Sequence, residues 1–214
     1  MLVKDRMSAH PITIEPDTSV TEALSFMRQN RVRRLPVVDR HGNLLGIVSE
    51  KDLLYASPSP ATSLSVYEIG YLLSKLKVKE IMTREVITVC PDCPIEEAAR
   101  IMVDHKIGGL PVVEDGRLVG IITETDLFKV FLEMLGAREQ GLRVSVSVRN
   151  EPGTLARLAS AIASQGGDIL SLGTFYGEDR SHGRITLKVR GITEEQVRIA
   201  VQQAEAELRD IRTS

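Results

Sequence analysis

The sequence has no excess of charge of either sign, no long apolar run and almost no cysteine, and each shortage removes a class of function. Lys and Arg number 27 against 29 Asp and Glu, for a formal charge of −2, so no long-range field gathers a nucleic acid or an anionic membrane. The opening segment MLVKDRM lacks the apolar core of a secretory signal, and no stretch approaches the roughly 20 apolar residues that cross a bilayer. These absences lead us to expect a cytoplasmic protein with neither nucleic acid nor membrane as partner. Cys90 and Cys93 are too few for a disulfide framework in a chain of this length. Their spacing suits a metal or a redox pair, yet His10, His41, His105 and His182 are scattered without metal-ligand spacing, and no metal site is expected. Phosphate-cradling glycine motifs and nucleophile motifs are missing too, so no catalytic residue is nominated.

What the chain does have is an internal repeat. Its 214 residues, 43% hydrophobic and 26% charged, leave room for two modest domains. The segment MSAHPITIEPD at 7–17 returns 75 positions later as MTREVITVCPD at 82–92, and Leu35-Pro36-Val37-Val38 returns at the same offset as Leu110-Pro111-Val112-Val113. Residues 46–53 (GIVSEKDL) return at an offset of 74 as residues 120–127 (GIITETDL), one deletion in the turn at His41 or Gly116 accounting for the change. Each copy reads as a short strand, a helix, two strands joined by a glycine turn, and a second helix. Val20, Ala23, Leu24 and Met27 share one helix face in the first copy, and Ile95, Ala98, Ala99 and Met102 share it in the second; these stripes are core. In this alignment Cys90 and Cys93 fall on Glu15 and Thr18, a surface residue and a helix cap. Two copies that each bury one face should pack about a pseudo-two-fold axis and leave two related clefts.

The repeated Gly-hydrophobic-hydrophobic-Ser/Thr-x-x-Asp places a hydroxyl and a carboxylate three residues apart where a strand runs into a helix, on one face of its first turn. A carboxylate accepts from both hydroxyls of a ribose, while a hydroxyl and the free N–H groups of the turn hold a phosphate. The plainer alternative makes Ser49 and Thr123 helix caps, with the acids complementing the helix dipole. Occurrence twice, in the same frame, favours the nucleotide.

Together, Met-x-x-x-x-Ile/Val-Thr-hydrophobic-x-Pro-Asp, Leu-Pro-Val-Val and Gly-x-x-Ser/Thr-x-x-Asp resemble the cystathionine-β-synthase (CBS) domain in duplicate, over roughly residues 1–135. The resemblance implies an adenosine-containing ligand such as AMP, ATP or S-adenosylmethionine, each ribose-binding Asp being completed by the other repeat. Carried onto this sequence, one cleft uses Ser49, Asp52 and a phosphate-facing Arg34, with Val86, Ile87, Thr88, Ile107 and Gly108 around the base. The other uses Thr123 and Asp126, with Pro11, Ile12, Thr13, Val32 and Arg33 around the base. Arg34 occupies the place that Gly109 holds in the second copy, and a charge-assisted hydrogen bond to phosphate is worth about 1.5–3 kcal/mol. The Ser49/Asp52 cleft is therefore expected to prefer a phosphorylated ligand, and the other to bind more weakly or to take uncharged adenosine. Alternatively, Arg31, Arg33 and Arg34 form a solvated basic turn. Between the copies, residues 57–65 form a proline-broken loop, followed by an amphipathic helix with Val66, Ile69, Leu72, Leu73 and Leu76. This insert resembles the bacterial AcuB-type acetoin-utilisation family, CBS-pair proteins of which many carry a C-terminal ACT domain.

A new pattern follows a helix ending near Gly136. Val144, Val146 and Val148 alternate with polar residues as a half-buried strand. Asn150-Glu151-Pro152-Gly153 then turns into a helix striped by Leu155, Leu158, Ala159 and Ile162, closing at Gly166-Gly167. Strands at 168–176 and 184–190 and a helix opened by the Thr193/Gln196 capping box complete the order. This β-α-β-β-α pattern, with Asn-x-Pro-Gly-x-Leu and Gly-Gly-Asp-Ile, resembles an ACT domain over roughly residues 142–214, with only a short last strand at 209–213. The resemblance implies a ferredoxin-like fold that pairs and commonly binds amino acids. A carboxylate would meet the exposed N–H groups around Glu151 to Leu155, a turn that includes Pro152, Gly153 and Thr154, with Asn150 beside them; the alternative is a tight turn that needs Gly153 and nothing more.

The expected class is thus α/β and α+β, a pseudo-two-fold Bateman module of tandem CBS repeats followed by a ferredoxin-like ACT domain. Its boundaries are expected at 1–56 (CBS repeat 1), 57–77 (insert), 78–135 (CBS repeat 2), 136–141 (linker) and 142–214 (ACT domain). The function implied is a non-catalytic regulator of an unknown protein, a homodimer that senses an adenosine nucleotide and an amino-acid effector or other small metabolite. An enzyme or enzyme subunit of acetoin or related carbon catabolism, and an assembly module with empty clefts, are the alternatives.

Overall fold

The computed structural model describes residues 1–56, 65–176 and 181–213; most of the proline-broken loop, at 57–64, and the side chains of Val66 and Ile69 lie outside the described residues. The chain divides into two compact units, Met1–Leu127 and Phe128–Ser214.

In the first unit a 3-10 turn (Val3–Asp5) precedes β1 (Ser8–Ala9), α1 (Val20–Asn30), β2 (Arg34–Val38), β3 (Leu44–Ser49) and α2 (Glu50–Tyr55). Helix α1 starts where it does because the Glu22 carboxylate accepts from the Ser19 N–H at 2.9 Å while the Ser19 hydroxyl accepts from the Glu22 N–H, a reciprocal capping box. It stops at Arg31, which is left-handed (φ 54°). The insert contributes α3 (Val66–Lys75), and α4 (Val78–Ile81) follows. The second repeat supplies α5 (Ile95–His105), β4 (Gly109–Glu114), β5 (Arg117–Thr123) and the first turn of α6 (Glu124–Met134), whose residues from Phe128 onward belong to the second unit. The two antiparallel ladders have matching register: Arg34 pairs with Ser49 across β2–β3, and Gly109 with Thr123 across β4–β5.

Most of the striped residues are buried as the helical period requires: Val20, Ala23 and Met27 join Leu35, Val37, Val48 and Leu53 in one core, and Ile95, Ala98 and Met102 are buried in the second copy, while Leu24 and Ala99 at the stripe edges are half-buried. Leu73 and Leu76 of the insert pack on the first core, but Leu72 is exposed. Less expected is an exchange between the copies. Val78, which opens the second copy in sequence, belongs to the core of the first; its N–H donates to Thr18 O (2.9 Å) and the Lys79 N–H to Pro16 O (3.0 Å). Reciprocally, the fully buried Val3 donates to Cys93 O (2.9 Å) and Lys4 to Pro91 O (2.9 Å). Strand β1 continues the exchange by pairing with β5, Ser8 against Ile121 and Ala9 against Gly120. Glycines stand at these crossings: a Cβ on Gly46 would strike the Thr83 carbonyl as well as the Met82 thioether, and one on Gly120 would push the Met7 thioether aside.

The second unit contains β6 (Leu142–Arg149), α7 (Thr154–Ser164), β7 (Asp168–Tyr176), β8 (His182–Arg190), α8 (Glu194–Gln203) and β9 (Glu207–Thr213). Its antiparallel sheet runs β7-β8-β6-β9, the ferredoxin-like order. Strand β9 is longer than the sequence suggests: it begins at Glu207 and pairs with β6 from Ser147 to Leu142, closing that edge. Val144, Val146, Leu158, Ile162, Leu187, Val197 and Val201 form the core between the sheet and its two helices.

Candidate functional site

Ser49 is the N-cap of α2, and its pairing with Asp52 is the capping box of the plainer reading: the Ser49 N–H and hydroxyl both donate to Asp52 Oδ2 (2.8 and 2.7 Å), and the hydroxyl accepts from the Asp52 N–H (3.3 Å). Capping does not exhaust the carboxylate. Oδ1 accepts no hydrogen bond among the described residues, and Asp52 lines a cavity of about 610 Å³. A carboxylate locked in one rotamer with one oxygen unused is preorganised to accept from a diol. The second copy repeats the arrangement, Asp126 Oδ2 accepting from the Thr123 N–H (3.0 Å) and hydroxyl (2.7 Å), with Asp126 only 8% exposed.

The β2–β3 register carries Arg34 into the first cavity beside Ser49. Its guanidinium lies against Gly108, where any side chain would collide with it, and close to Glu124. Burial lowers the Arg34 pKa, and the Glu124 carboxylate offsets part of that effect. Arg33, Lys51 and Lys106 line the same cavity with the acids Glu50, Asp52 and Glu85, so with Arg34 the wall carries four cations against three carboxylates and is mixed in charge. Val86, Ile87 and Ile107 supply the apolar wall.

Of the residues expected at this cleft, Ser49, Asp52, Arg34, Val86, Ile87, Ile107 and Gly108 line the cavity, and Thr88 does not. Thr88 is exposed and alternates with Val89, which is buried and bridged to Val112. Arg33, expected at the second cleft, lines the first instead, because its carbonyl accepts from the Glu50 N–H (2.9 Å) and draws it onto the Ser49–Asp52 turn. Lys51, His105 and Lys106 were not foreseen. Lys106 is left-handed at the end of α5, as Arg31 is at the end of α1 (φ 54° in both), so the repeat alignment held the signal. At the second turn, β1 lies along β5 and leads directly into Pro11, Ile12 and Thr13, whereas Val32 packs on the core of the first repeat.

In the other unit a pocket of about 320 Å³ is lined by Asn150, Glu151, Gly153, Thr154 and Leu155, with Arg149 and Arg184 supplying positive charge; Pro152 is not among its lining residues. Gly153 is left-handed (φ 84°) and caps α7 without a side chain, a conformation open to glycine. The N–H groups of Asn150, Glu151 and Thr154 are already committed, to Ser181 O (2.9 Å), Arg149 O (3.0 Å) and Glu151 O (3.3 Å). Of the N–H groups expected to meet a carboxylate, those of Gly153 and Leu155 are left without such a backbone bond among the described residues. Among the described residues no group of His, Cys, Asp and Glu could hold a metal, and no helix is long and apolar enough to cross a membrane.

Two hydroxyl-capped, Asp-bearing strand-to-helix turns in matching register are accompanied by a match to the family model of the CBS domain at residues 3–59 and 78–133. The chain belongs to the CBS-domain family. The model of the AHAS small subunit-like ACT domain matches residues 144–212, so a CBS pair is followed by an ACT domain. The CBS pair of protein MJ0100, solved with 5′-methylthioadenosine and S-adenosyl-L-methionine, is 35% identical and covers 65% of this chain and 98% of its own, with a TM-score of 0.52. The acetoin utilization protein AcuB of Vibrio cholerae is also 35% identical, covering 65% of this chain and 96% of its own (TM-score 0.54). CBSX2, solved in complex with AMP, is 34% identical over 61% of this chain and 96% of its own (TM-score 0.51).

Proposed function

We propose that this protein is a non-catalytic regulator that senses an adenosine-containing nucleotide through its CBS pair. The observation that carries the reading is Asp52, held by Ser49 through one oxygen and lining a cavity beside Arg34, its other oxygen accepting no hydrogen bond among the described residues. Two similar CBS proteins were solved with AMP, or with S-adenosylmethionine and methylthioadenosine, which supports an adenosine ligand here. The first cleft prefers a phosphorylated ligand, because Arg33, Arg34, Lys51 and Lys106 gather there; the Thr123/Asp126 cleft is weaker or takes uncharged adenosine. Titration calorimetry of the full chain with AMP, ATP and S-adenosylmethionine tests this: saturable binding lost in Asp52→Ala supports it. If no adenosine compound binds, or if binding survives removal of both Asp52 and Asp126, the sensor reading fails and the assembly-module reading takes its place.

In the same proposal the ACT domain takes an amino acid, its carboxylate on the Gly153 and Leu155 N–H groups and near Arg149 and Arg184. A thermal-shift series over the free amino acids, with Gly153→Ala as the control that strains the left-handed cap, tests it; a flat series rejects it. The protein acts in the cytoplasm as a homodimer on a partner protein yet to be identified, and light scattering of the purified chain reports the dimer. A second reading, an enzyme or enzyme subunit of acetoin or related carbon catabolism, is favoured by the likeness to AcuB. Turnover of acetoin by the purified chain would promote it.

A further inference from the structure

We infer that Cys90 and Cys93 form a reversible dithiol–disulfide site that clamps the N-terminal segment onto the second CBS repeat. The two residues are disulfide-bonded, with Cα atoms 5.2 Å apart, a span a disulfide bridges without backbone movement. Cys90 is exposed and Cys93 half-buried, so small thiols reach the pair. The loop they close is the docking platform of the chain's first residues: Val3 and Lys4 donate to the carbonyls of Cys93 and Pro91, Leu2 bridges to Pro94, and Lys4 pairs with Asp92. The first repeat supplies an internal control. There Val78 and Lys79 make the same two backbone bonds to Thr18 and Pro16, and Lys79 pairs with Asp17 (2.6 Å), on a turn with Glu15 and Thr18 where the cysteines stand. The docking geometry therefore needs no cross-link, and what the disulfide adds is rigidity. Reduction leaves the fold in place and loosens the segment that continues through β1 to Pro11.

The chemistry is thiol–disulfide exchange with a low-molecular-weight disulfide such as oxidised glutathione. One cysteine thiolate attacks a sulfur of that disulfide and expels a thiolate; the other cysteine attacks the protein sulfur of the mixed disulfide and expels the second. Two protein thiols and one small disulfide become one protein disulfide and two small thiols, and a dithiol reverses the change. Amide hydrogen exchange on the full chain, with and without a dithiol reductant, tests the clamp. We expect the Val3 and Lys4 amides to exchange about threefold or more faster after reduction, with Val78 and Lys79 unmoved. The Cys90→Glu/Cys93→Thr variant, which copies the turn of the first repeat, should behave like the reduced protein in either condition. The clamp is refuted if both thiols stay titratable after oxidised glutathione, if Val3 and Lys4 do not respond, or if Val78 and Lys79 respond equally. The readout uses no nucleotide, so its outcome is independent of the proposed sensing role.

Discussion

In the first CBS repeat Arg34 stands opposite Ser49 across the ladder; in the second, Gly109 stands opposite Thr123. Asp52 is half-buried and Asp126 only 8% exposed. Helix α1 opens on the Ser19/Glu22 box, while α5 opens on Pro94 with no side-chain cap, just after the disulfide. Beneath these differences the copies agree to single hydrogen bonds, the Val78 and Val3 amides each reaching a carbonyl of the opposite repeat at 2.9 Å. What is duplicated is backbone and apolar stripe, which the core holds fixed because a lost methylene is felt there. What has diverged is the polar set at the clefts and turns, Arg34 against Gly109 and the Ser19/Glu22 box against Pro94.

The largest effect is expected where the two ladders differ in charge. Arg34→Gly gives the first repeat the residue of the second, and AMP affinity at the Ser49/Asp52 cleft should fall about 10- to 100-fold, the worth of a charge-assisted phosphate bond. Adenosine affinity should hardly change, so the ratio of the two, read by calorimetry, isolates the phosphate. The reverse change, Gly109→Arg, should gain less, since a side chain there presses on Arg34 Cδ and the Ile122 carbonyl. Equal losses for AMP and adenosine in Arg34→Gly would erase the distinction between the clefts.

Next in size is the stability of the two caps. Asp126→Ala leaves the Thr123 N–H and hydroxyl without their acceptor in a buried setting, a loss of about 1–3 kcal/mol. Asp52→Ala removes the same two bonds where water replaces them, for about 1 kcal/mol. Urea unfolding of the two variants measures the difference, and a greater loss at Asp52 would reverse the burial argument.

Much of this was legible in the sequence because the repeat made each position readable twice. The repeat, at an offset of 74 over residues 46–53 and 120–127, located both strand-to-helix turns, and the helical period of Val20, Ala23 and Met27 picked out core. Exchange of the segments around Val3 and Val78 was not legible, since an apolar residue at a repeat boundary does not say which copy buries it. Thr88 and Arg33 were misplaced for a related reason: motif carry-over fixes neighbours in sequence, whereas alternation at Val89 and the Arg33 carbonyl bond to Glu50 decide which way each faces. The ACT turn was located correctly, but its N–H groups were overcounted, because backbone bonds such as Asn150 to Ser181 join residues far apart in sequence.

The smallest expected effect lies in the ion pairs that flank the exchanged segments. The Lys79 ammonium, hydrogen-bonded to Asp17, holds that carboxyl below its ordinary range, and the pair is well exposed, so salt and water screen it. A carboxyl with a lowered folded-state pKa adds stability above its unfolded value, and that stability is lost as pH falls through the lowered one. Asp17→Asn should therefore cost slightly at neutral pH and nothing in strong acid, where both proteins are uncharged at this position. Asp92→Asn, against Lys4, tests the repeats side by side in the same unfolding experiment. With the Cys90–Cys93 disulfide intact the two variants should differ little, because the cross-link holds the platform whatever the ion pair does. After reduction, loss of Asp92 should loosen the first residues further while Asp17→Asn is indifferent to reductant, and an equal response in both would show that the two turns are alike in spite of the cysteines.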